Sequence, residues 1–343
     1  MDQARWRQAY ADEIARYGAL LPDVEIESIF FGGGTPSLME ARTVAHIIDR
    51  IQRTWRFAND VEITLEANPT STEADRFREY RAAGVNRVSV GIQALNDADL
   101  RRLGRLHSAA EARAAFDVAR RTFDRTSFDL IYARQHQSAR AWKAELETAL
   151  SLAADHLSLY QLTVEDGTAF GDRRAAGRLG GLPDEDLGAD LWDITQDLTA
   201  AAGLPAYEVS NHARPGSESR HNLIYWTGGD YIGIGPGAHG RVTLDAIRHA
   251  TEAPASPTAW LSAVAAEARP DTWRALTRQE VAEERLMMGL RIAEGVPLSE
   301  VPLPPARTAP LEEMGLVERR DDRLRLTQSG RPILDAILRE LLA

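Results

Sequence analysis

Ile26-Glu-Ser-Ile-Phe-Phe-Gly-Gly-Gly-Thr-Pro-Ser37 decides the fold: a β-rich apolar run over residues 26–31 stops in three glycines and a polar turn. Gly32, Gly33 and Gly34 remove every Cβ at a strand end, so backbone N–H and C=O groups can touch a ligand there. The segment is not a P-loop, since no Gly-Lys-Ser/Thr follows it. Ser37 with Glu40 three residues later reads as a capping box, opening a helix with Val44, Ile47, Ile48 and Ile51 on one face. The amide dipoles of that helix would point back at the glycines.

Outward from this stretch the same unit repeats: apolar run, turn, amphipathic helix. Runs follow at residues 61–65, 87–90, 127–132 and 156–162, with 207–209 as a sixth. Thr70 or Ser71 caps a helix that carries Phe77 and Tyr80 on one face and ends at Gly84. Parallel strands joined by helices make either an open doubly wound sheet or a barrel, and the position of the distinctive residues separates the two. Here they fall toward the C-terminal ends of the runs, Asp129 within its own: Gly34, Glu66, Gln93, Asp129 and Gln161 follow one another at steps of 32, 27, 36 and 32 residues. One ligand served by several strand ends fits that spacing, so residues 1–205 are read as an α/β partial (βα) barrel.

At such a mouth a carboxylate (Glu66), an amide (Gln93), a guanidinium (Arg105) and a second carboxylate (Asp129) could grip a zwitterionic or ribose-bearing ligand. A second cluster is Arg220-His-Asn-Leu-Ile-Tyr-Trp226. A His beside two large aromatics suits a flat apolar cofactor with a ligated metal, or a hydrogen-bonded core histidine among packing aromatics. The run Gly233-Ile-Gly-Pro-Gly-Ala-His-Gly240 is only superficially a dinucleotide fingerprint, because it contains Pro236 and lacks an acidic partner downstream. Residues 206–272 read as an elaboration followed by a linker containing Pro254, Pro257 and Pro270. In residues 273–343, helices around 286–292 and 333–342 flank a hairpin at 315–318 and 323–327, suggesting a small winged-helix-like α+β domain.

The balance of 40 basic against 51 acidic residues, a net charge of -11, argues against extended nucleic-acid binding. Neither an export signal nor an apolar stretch long enough to span a membrane is present. The 343 residues contain no cysteine, so they cannot hold an iron-sulfur cluster or any thiolate-bound metal.

Six motifs stand in a telling order: Phe30-Phe-Gly-Gly-Gly-Thr-Pro-Ser-Leu38, Leu65-Glu-Ala-Asn-Pro69, Ser89-Val-Gly-Ile-Gln93, Leu103-Gly-Arg105, Asp129-Leu-Ile-Tyr132 and His221-Asn-Leu-Ile-Tyr-Trp226. Together they resemble the radical S-adenosylmethionine (SAM) proteins related to oxygen-independent coproporphyrinogen III oxidase. The last looks like the HNxxYW motif of the HemW-type heme chaperones. The resemblance covers essentially the whole chain. It implies a radical-SAM-type barrel in which Gly33, Gly34, Thr35, Glu66, Gln93, Arg105 and Asp129 bind SAM. It also implies that His221 ligates heme iron, with Asn222, Tyr225 and Trp226 around it. The function so implied is a cytoplasmic heme chaperone, at the membrane periphery, that delivers heme to respiratory or other heme-requiring proteins, alone or as a homodimer. The alternative is the oxidase itself, a radical SAM oxidoreductase of heme biosynthesis. A third reading is a SAM binder or docking protein without heme.

Two departures from the family pattern stand out. The family holds a 4Fe-4S cluster on a CxxxCxxC loop after the first barrel strand; the resemblance implies that this strand and loop belong before Met1, so that an N-terminal truncation is expected. No radical catalysis is expected of the residues as they stand. The second departure is Tyr132-Ala-Arg-Gln-His136, where the family often has Tyr-Gly-Leu-Pro-Gly.

Overall fold

The computed structural model describes residues 2–34, 36–266 and 269–343, without the side chains of Ser37, Ser71, Thr72, Glu73 and Ala169. The repeated unit becomes α1 (Gln3–Leu20), β1 (Glu25–Phe31), α2 (Ala41–Thr54), β2 (Arg56–Ala67), α3 (Ser71–Ala82), β3 (Arg87–Gln93), α4 (Asp97–Arg102), α5 (Ala109–Thr122), β4 (Arg125–Tyr132), α6 (Ala139–Leu152), β5 (His156–Gln161), α7 (Ala169–Ala175), α8 (Glu185–Ala201) and β6 (Asn211–Ala213). The six strands form one curled sheet, half of a barrel, in sequence order. Strands β1 to β5 pair in parallel and β6 pairs antiparallel with β5.

Alternation along the strands gives the sheet two unlike faces. Ile63 and Leu65, Val88 and Val90, Phe128 and Leu130, and Leu157 and Leu159 are buried in the core with the helices. The intervening positions carry Glu62, Thr64 and Glu66, Arg87 and Ser89, Arg125, Ser127 and Asp129, and His156, Ser158 and Tyr160 on the concave face. Helix α2 buries Val44, Ile47, Ile48 and Ile51, as its spacing requires. Phe77 and Tyr80 of α3 are fully enclosed, and each such side chain contributes roughly 1.5–3 kcal/mol. Gly84, at φ +110°, ends that turn, with the Val85 N–H donating to the Tyr80 carbonyl at 3.1 Å.

Three expectations are corrected. The sixth strand lies at Asn211–Ala213 and not at 207–209: Ala206 bridges His212 and the Tyr207 N–H donates to the Asn211 carbonyl at 3.1 Å, so residues 207–210 form the bend that reverses the chain. The Ser37–Glu40 capping box does not open α2. A separate 3-10 turn, Pro36–Leu38, comes first, and Glu40, at the N-cap of α2, pairs with Arg42 and makes no cap bond. The proline-bearing linker is folded chain, as follows.

After α9 (Arg220–Trp226) come β7 (His239–Leu244), β8 (Ile247–Glu252), α10 (Pro257–Ala265) and β9 (Thr272–Ala275), the three strands making an antiparallel sheet. Pro257 sits in the first turn of α10, where no intrahelical donor is lost, and Ser256 caps it. Trp260 of α10 is fully buried, 5.5 Å from the Trp6 ring and 5.2 Å from the Tyr10 ring of α1. Strand β9 lies astride the boundary expected at 273. The last segment holds α11 (Arg278–Gly289), β10 (Val296–Pro297), α12 (Pro305–Glu313), β11 (Val317–Arg320), β12 (Arg323–Leu326) and α13 (Leu334–Leu342). Its sheet, ordered β10-β12-β11, packs on a core of its own around Leu286, Val296, Leu324 and Ile337. This is the expected winged-helix-like α+β domain. Among the described residues no helix is long and apolar enough to cross a membrane.

Candidate functional site

Strand ends bring the mouth residues together. Gly33 and Gly34 follow β1 at φ +76° and +58°, and a Cβ on either would meet nothing within 4 Å, so both border open space. The Gly33 N–H donates to Glu66 Oε2 at 3.4 Å, tying the glycine loop to the end of β2. Gln93, at φ +71° and buried, turns its amide to donate to Asp129 Oδ2. Burial pushes the Asp129 carboxyl up to about 7; the Arg105 guanidinium and the Gln93 amide pull it down, and Glu66 adds to the rise. Desolvation also raises Glu66, offset by the Gly33 N–H. Glu66, Gln93, Arg105 and Asp129 therefore share one mouth. Thr35 lies outside the described residues. Because the 3-10 turn Pro36–Leu38 intervenes, α2 starts at Ala41 and not directly after the glycines as expected.

The open glycine cradle, two carboxylates, an amide and a guanidinium suit a zwitterion carrying a ribose. They do not suit an iron-sulfur cluster: the 343 residues have no thiolate to offer. Among the described residues no group of three or more His, Asp or Glu could hold a metal ion either.

The second cluster rides on α9, a helix of seven residues. His221 lies flat on Phe30 of β1, centroids 4.1 Å apart and planes at 6°, with the Tyr225 ring edge-on at 4.6 Å. Phe31, next in the strand, is in the outer core, so Phe30 projects into the concave face. Burial first, with the Arg87 cation adding to it, drops the His221 imidazole to about 3, so the ring is neutral at ordinary pH. The other motif residues diverge. The Asn222 amide donates to the Tyr207 hydroxyl at 3.3 Å. The Trp226 carbonyl accepts from Arg285 of α11 at 3.0 Å, and the Arg291 guanidinium lies 5.9 Å from the Trp226 ring centroid, which faces that side chain toward the C-terminal domain.

Side chains hold α9 in place from several strands. Glu62 Oε1 accepts the His221 N–H at 3.4 Å, while its Oε2 accepts from Arg125 at 2.7 Å. Arg125 also donates to the carbonyls of Ser217 and Glu218 at 2.7 and 3.1 Å. Arg220 pairs with Asp60. Buried Arg87 donates to Ser127 Oγ at 3.1 Å. The glycine run 233–240 serves packing: a Cβ on Gly233 would lie 2.2 Å from the His239 carbonyl oxygen, and the Gly235 N–H donates to Glu13 at 3.1 Å.

The strand-end reading missed Arg87, His156 and Tyr160. Their signal was the period-2 alternation inside Glu62-Ile-Thr-Leu-Glu66, Arg87-Val-Ser-Val90, Arg125-Thr-Ser-Phe-Asp129 and His156-Leu-Ser-Leu-Tyr160. The Tyr160 phenol is pushed up to about 12, by desolvation first and then by the carboxylates of Asp129, Glu208 and Glu66.

The chain is similar to known proteins along its length. The radical SAM superfamily profile matches residues 3–146, and the HemN C-terminal domain profile matches residues 276–333. "Radical S-adenosyl methionine domain-containing protein 1, mitochondrial" of Bos taurus is 37% identical over 361 residues, spanning 100% of this chain and 81% of that one. The heme chaperone HemW of Mycobacterium tuberculosis is 35% identical over 344 residues, spanning 98% and 86%. Among solved structures, coproporphyrinogen III oxidase (HemN) of Escherichia coli, a radical SAM enzyme, superposes with a TM-score of 0.79 at 21% identity over 99% of this chain and 83% of its own. That likeness speaks for the fold alone.

Proposed function

The chain belongs to the radical S-adenosylmethionine family that includes the heme chaperone HemW, and from that premise we propose that it binds heme through His221 and passes it to heme-requiring proteins. The observation that carries this reading is the state of His221. Its imidazole is neutral, stacked on Phe30 with Tyr225 edge-on beside it, and its ring nitrogens make no hydrogen bond among the described residues. A neutral imidazole with a free lone pair could ligate heme iron, and unlike buried His212, whose ring nitrogens also lack partners among the described residues, His221 stands against two aromatic rings on the concave face. The aromatic rings beside it supply the apolar surface a porphyrin needs. On this reading Asn222 and Tyr225 shape the pocket, Trp226 ties it to the C-terminal domain, and the chain works in the cytoplasm at the membrane periphery, with respiratory proteins among its recipients.

At the mouth, Gly33, Gly34, Glu66, Gln93, Arg105 and Asp129, with Thr35, would hold SAM. Glu66 and Asp129 would accept from its ammonium and ribose hydroxyls, and Arg105 would meet its carboxylate. SAM, when bound with a reduced 4Fe-4S cluster, supplies radical chemistry. No thiolate for such a cluster lies in these residues.

Titrating the purified chain with hemin should give a saturable Soret shift that His221→Ala weakens by tenfold or more, since even a residue that only supports a metal ligand is worth about 10–100-fold in metal affinity. Equal shifts in the two proteins would sink the assignment. Reconstitution with iron and sulfide should leave no stoichiometric cluster absorbance.

A further inference from the structure

Helix α9 is too short to hold its own shape in water, so whatever fixes its two ends fixes the direction in which His221 looks. We propose that Tyr207 is the positioning residue of the His221 helix: its hydroxyl, seated on His156, holds Asn222 and the backbone ahead of His221 in a single geometry. The inference rests on His221 being the heme ligand.

The geometry at the hydroxyl is fully used. A phenol has one proton to give and two lone pairs to offer. The Asn222 amide donates to the Tyr207 oxygen at 3.3 Å and the Ser219 N–H donates to it at 3.4 Å, which occupies both lone pairs. His156 Nε2 lies 3.0 Å away on the remaining side, so the phenolic proton goes to that nitrogen. For this His156 must be neutral, and it is: burial above all, then the cations Arg87 and Arg125 and the nearby His212, hold it well below its ordinary value. His156 sits on β5 with 2% of its surface exposed, which makes it a rigid seat.

Tyr207 is anchored at its backbone as well. Its N–H donates to the Asn211 carbonyl at 3.1 Å, and its carbonyl accepts the Ala293 N–H of the C-terminal domain at 2.9 Å. The residue thus joins the strand β5, the turn before β6, the C-terminal domain and the first turn of α9. The other clamps on α9 reach its backbone or exposed surface; Tyr207 alone, among the described residues, takes both the side chain of Asn222 and the N–H of the cap residue Ser219.

Hemin binding to the full chain tests this, read by affinity and by the absorption and electron paramagnetic resonance signature of the bound iron. Tyr207→Phe removes the hydroxyl's bonds to Asn222, Ser219 and His156 and should bind hemin more weakly by about tenfold or more, since a single such bond is worth about tenfold. It should also change the spin-state signature, because the imidazole would be presented to the iron differently. Asn222→Ala should do the same, and the double variant should be no worse than either single one. A merely structural role would lower the melting temperature and leave the spectrum of the bound fraction unchanged, and that result overturns the proposal. Wild-type affinity and spectrum in Tyr207→Phe overturn it too, and leave the ligand assignment standing if His221→Ala has lost hemin. If Tyr207→Phe does not fold, Asn222→Ala decides alone, with an unaltered signature counting against the proposal. Unchanged binding in His221→Ala removes the ligand reading and this inference together.

Discussion

At the mouth of the half-barrel burial lifts the Asp129 carboxyl to about 7, and on α9 burial drops the His221 imidazole to about 3. The cause is the same and the direction opposite, because an apolar surround favours whichever form is neutral. The two regions are also built differently. The mouth is assembled from strand ends, so backbone register places its residues, except Arg105, which comes from the loop between α4 and α5. The α9 cluster is assembled from side chains on β1, β2, β4 and the C-terminal domain, and no local rule places it. They meet at Phe30, whose ring stacks on His221 and whose edge would lie 2.3 Å from a Cβ added to Gly32.

The largest expected effect falls on the side-chain-built region. Arg125→Ala leaves Glu62, 3% exposed, without its cation and frees the carbonyls before α9, so urea unfolding should show a loss of about 3–5 kcal/mol. SAM affinity per folded molecule should stay near that of the parent chain. A loss below about 1 kcal/mol would mean that Glu62 finds another partner and that α9 does not depend on this clamp.

Gly32→Ala probes the contact between the regions. The new methyl must displace a Phe30 ring already trapped against His221, at about 1–3 kcal/mol, and hemin affinity should fall along with SAM affinity. If hemin binding were untouched, the two regions would be independent and the Phe30 stack would be no more than packing.

Acid and alkali should separate the regions by slope. Asp129 is raised above its ordinary 3.8, so its contribution to stability is full below 3.8 and is lost as pH rises to about 7. His221 is depressed from 6.5, so its contribution is full above 6.5 and is lost as pH falls toward 3. Asp129→Asn should flatten the loss on the alkaline side, and His221→Ala the loss on the acid side, in urea midpoints taken from pH 4 to 8. The same slope in both variants would contradict the burial assigned to these groups.

The smallest effect is expected at Arg220→Ala. Its partner Asp60 is exposed, so the pair contributes below about 1 kcal/mol, and hemin affinity should stay within about twofold. A larger drop would move the outer tether of α9 into the same rank as Glu62 and Arg125.

Much of the fold was legible because it is periodic. The five parallel strands, the buried faces of α2 and α3 and the C-terminal hairpin all follow from apolar spacing and turn residues. The misplaced sixth strand shows where that stops: Tyr207-Glu-Val209 has β-type residues, yet the chain bends there because β6 must run against β5. Pro257 shows the same limit, since proline in the first turn of a helix and proline in a linker look alike until Trp260 is seen to be buried.

The sequence by itself determined the half-barrel, the strand-end residues that face its mouth, and the absence of any thiolate, because these depend on residue type and on a period of two or of 3.6. Only the tertiary structure decided that His221 stacks on Phe30, that Asn222 reaches Tyr207 and that Trp226 turns to the C-terminal domain. Those contacts join residues far apart in the chain through side chains of particular length and direction, and a spacing pattern carries no information about either.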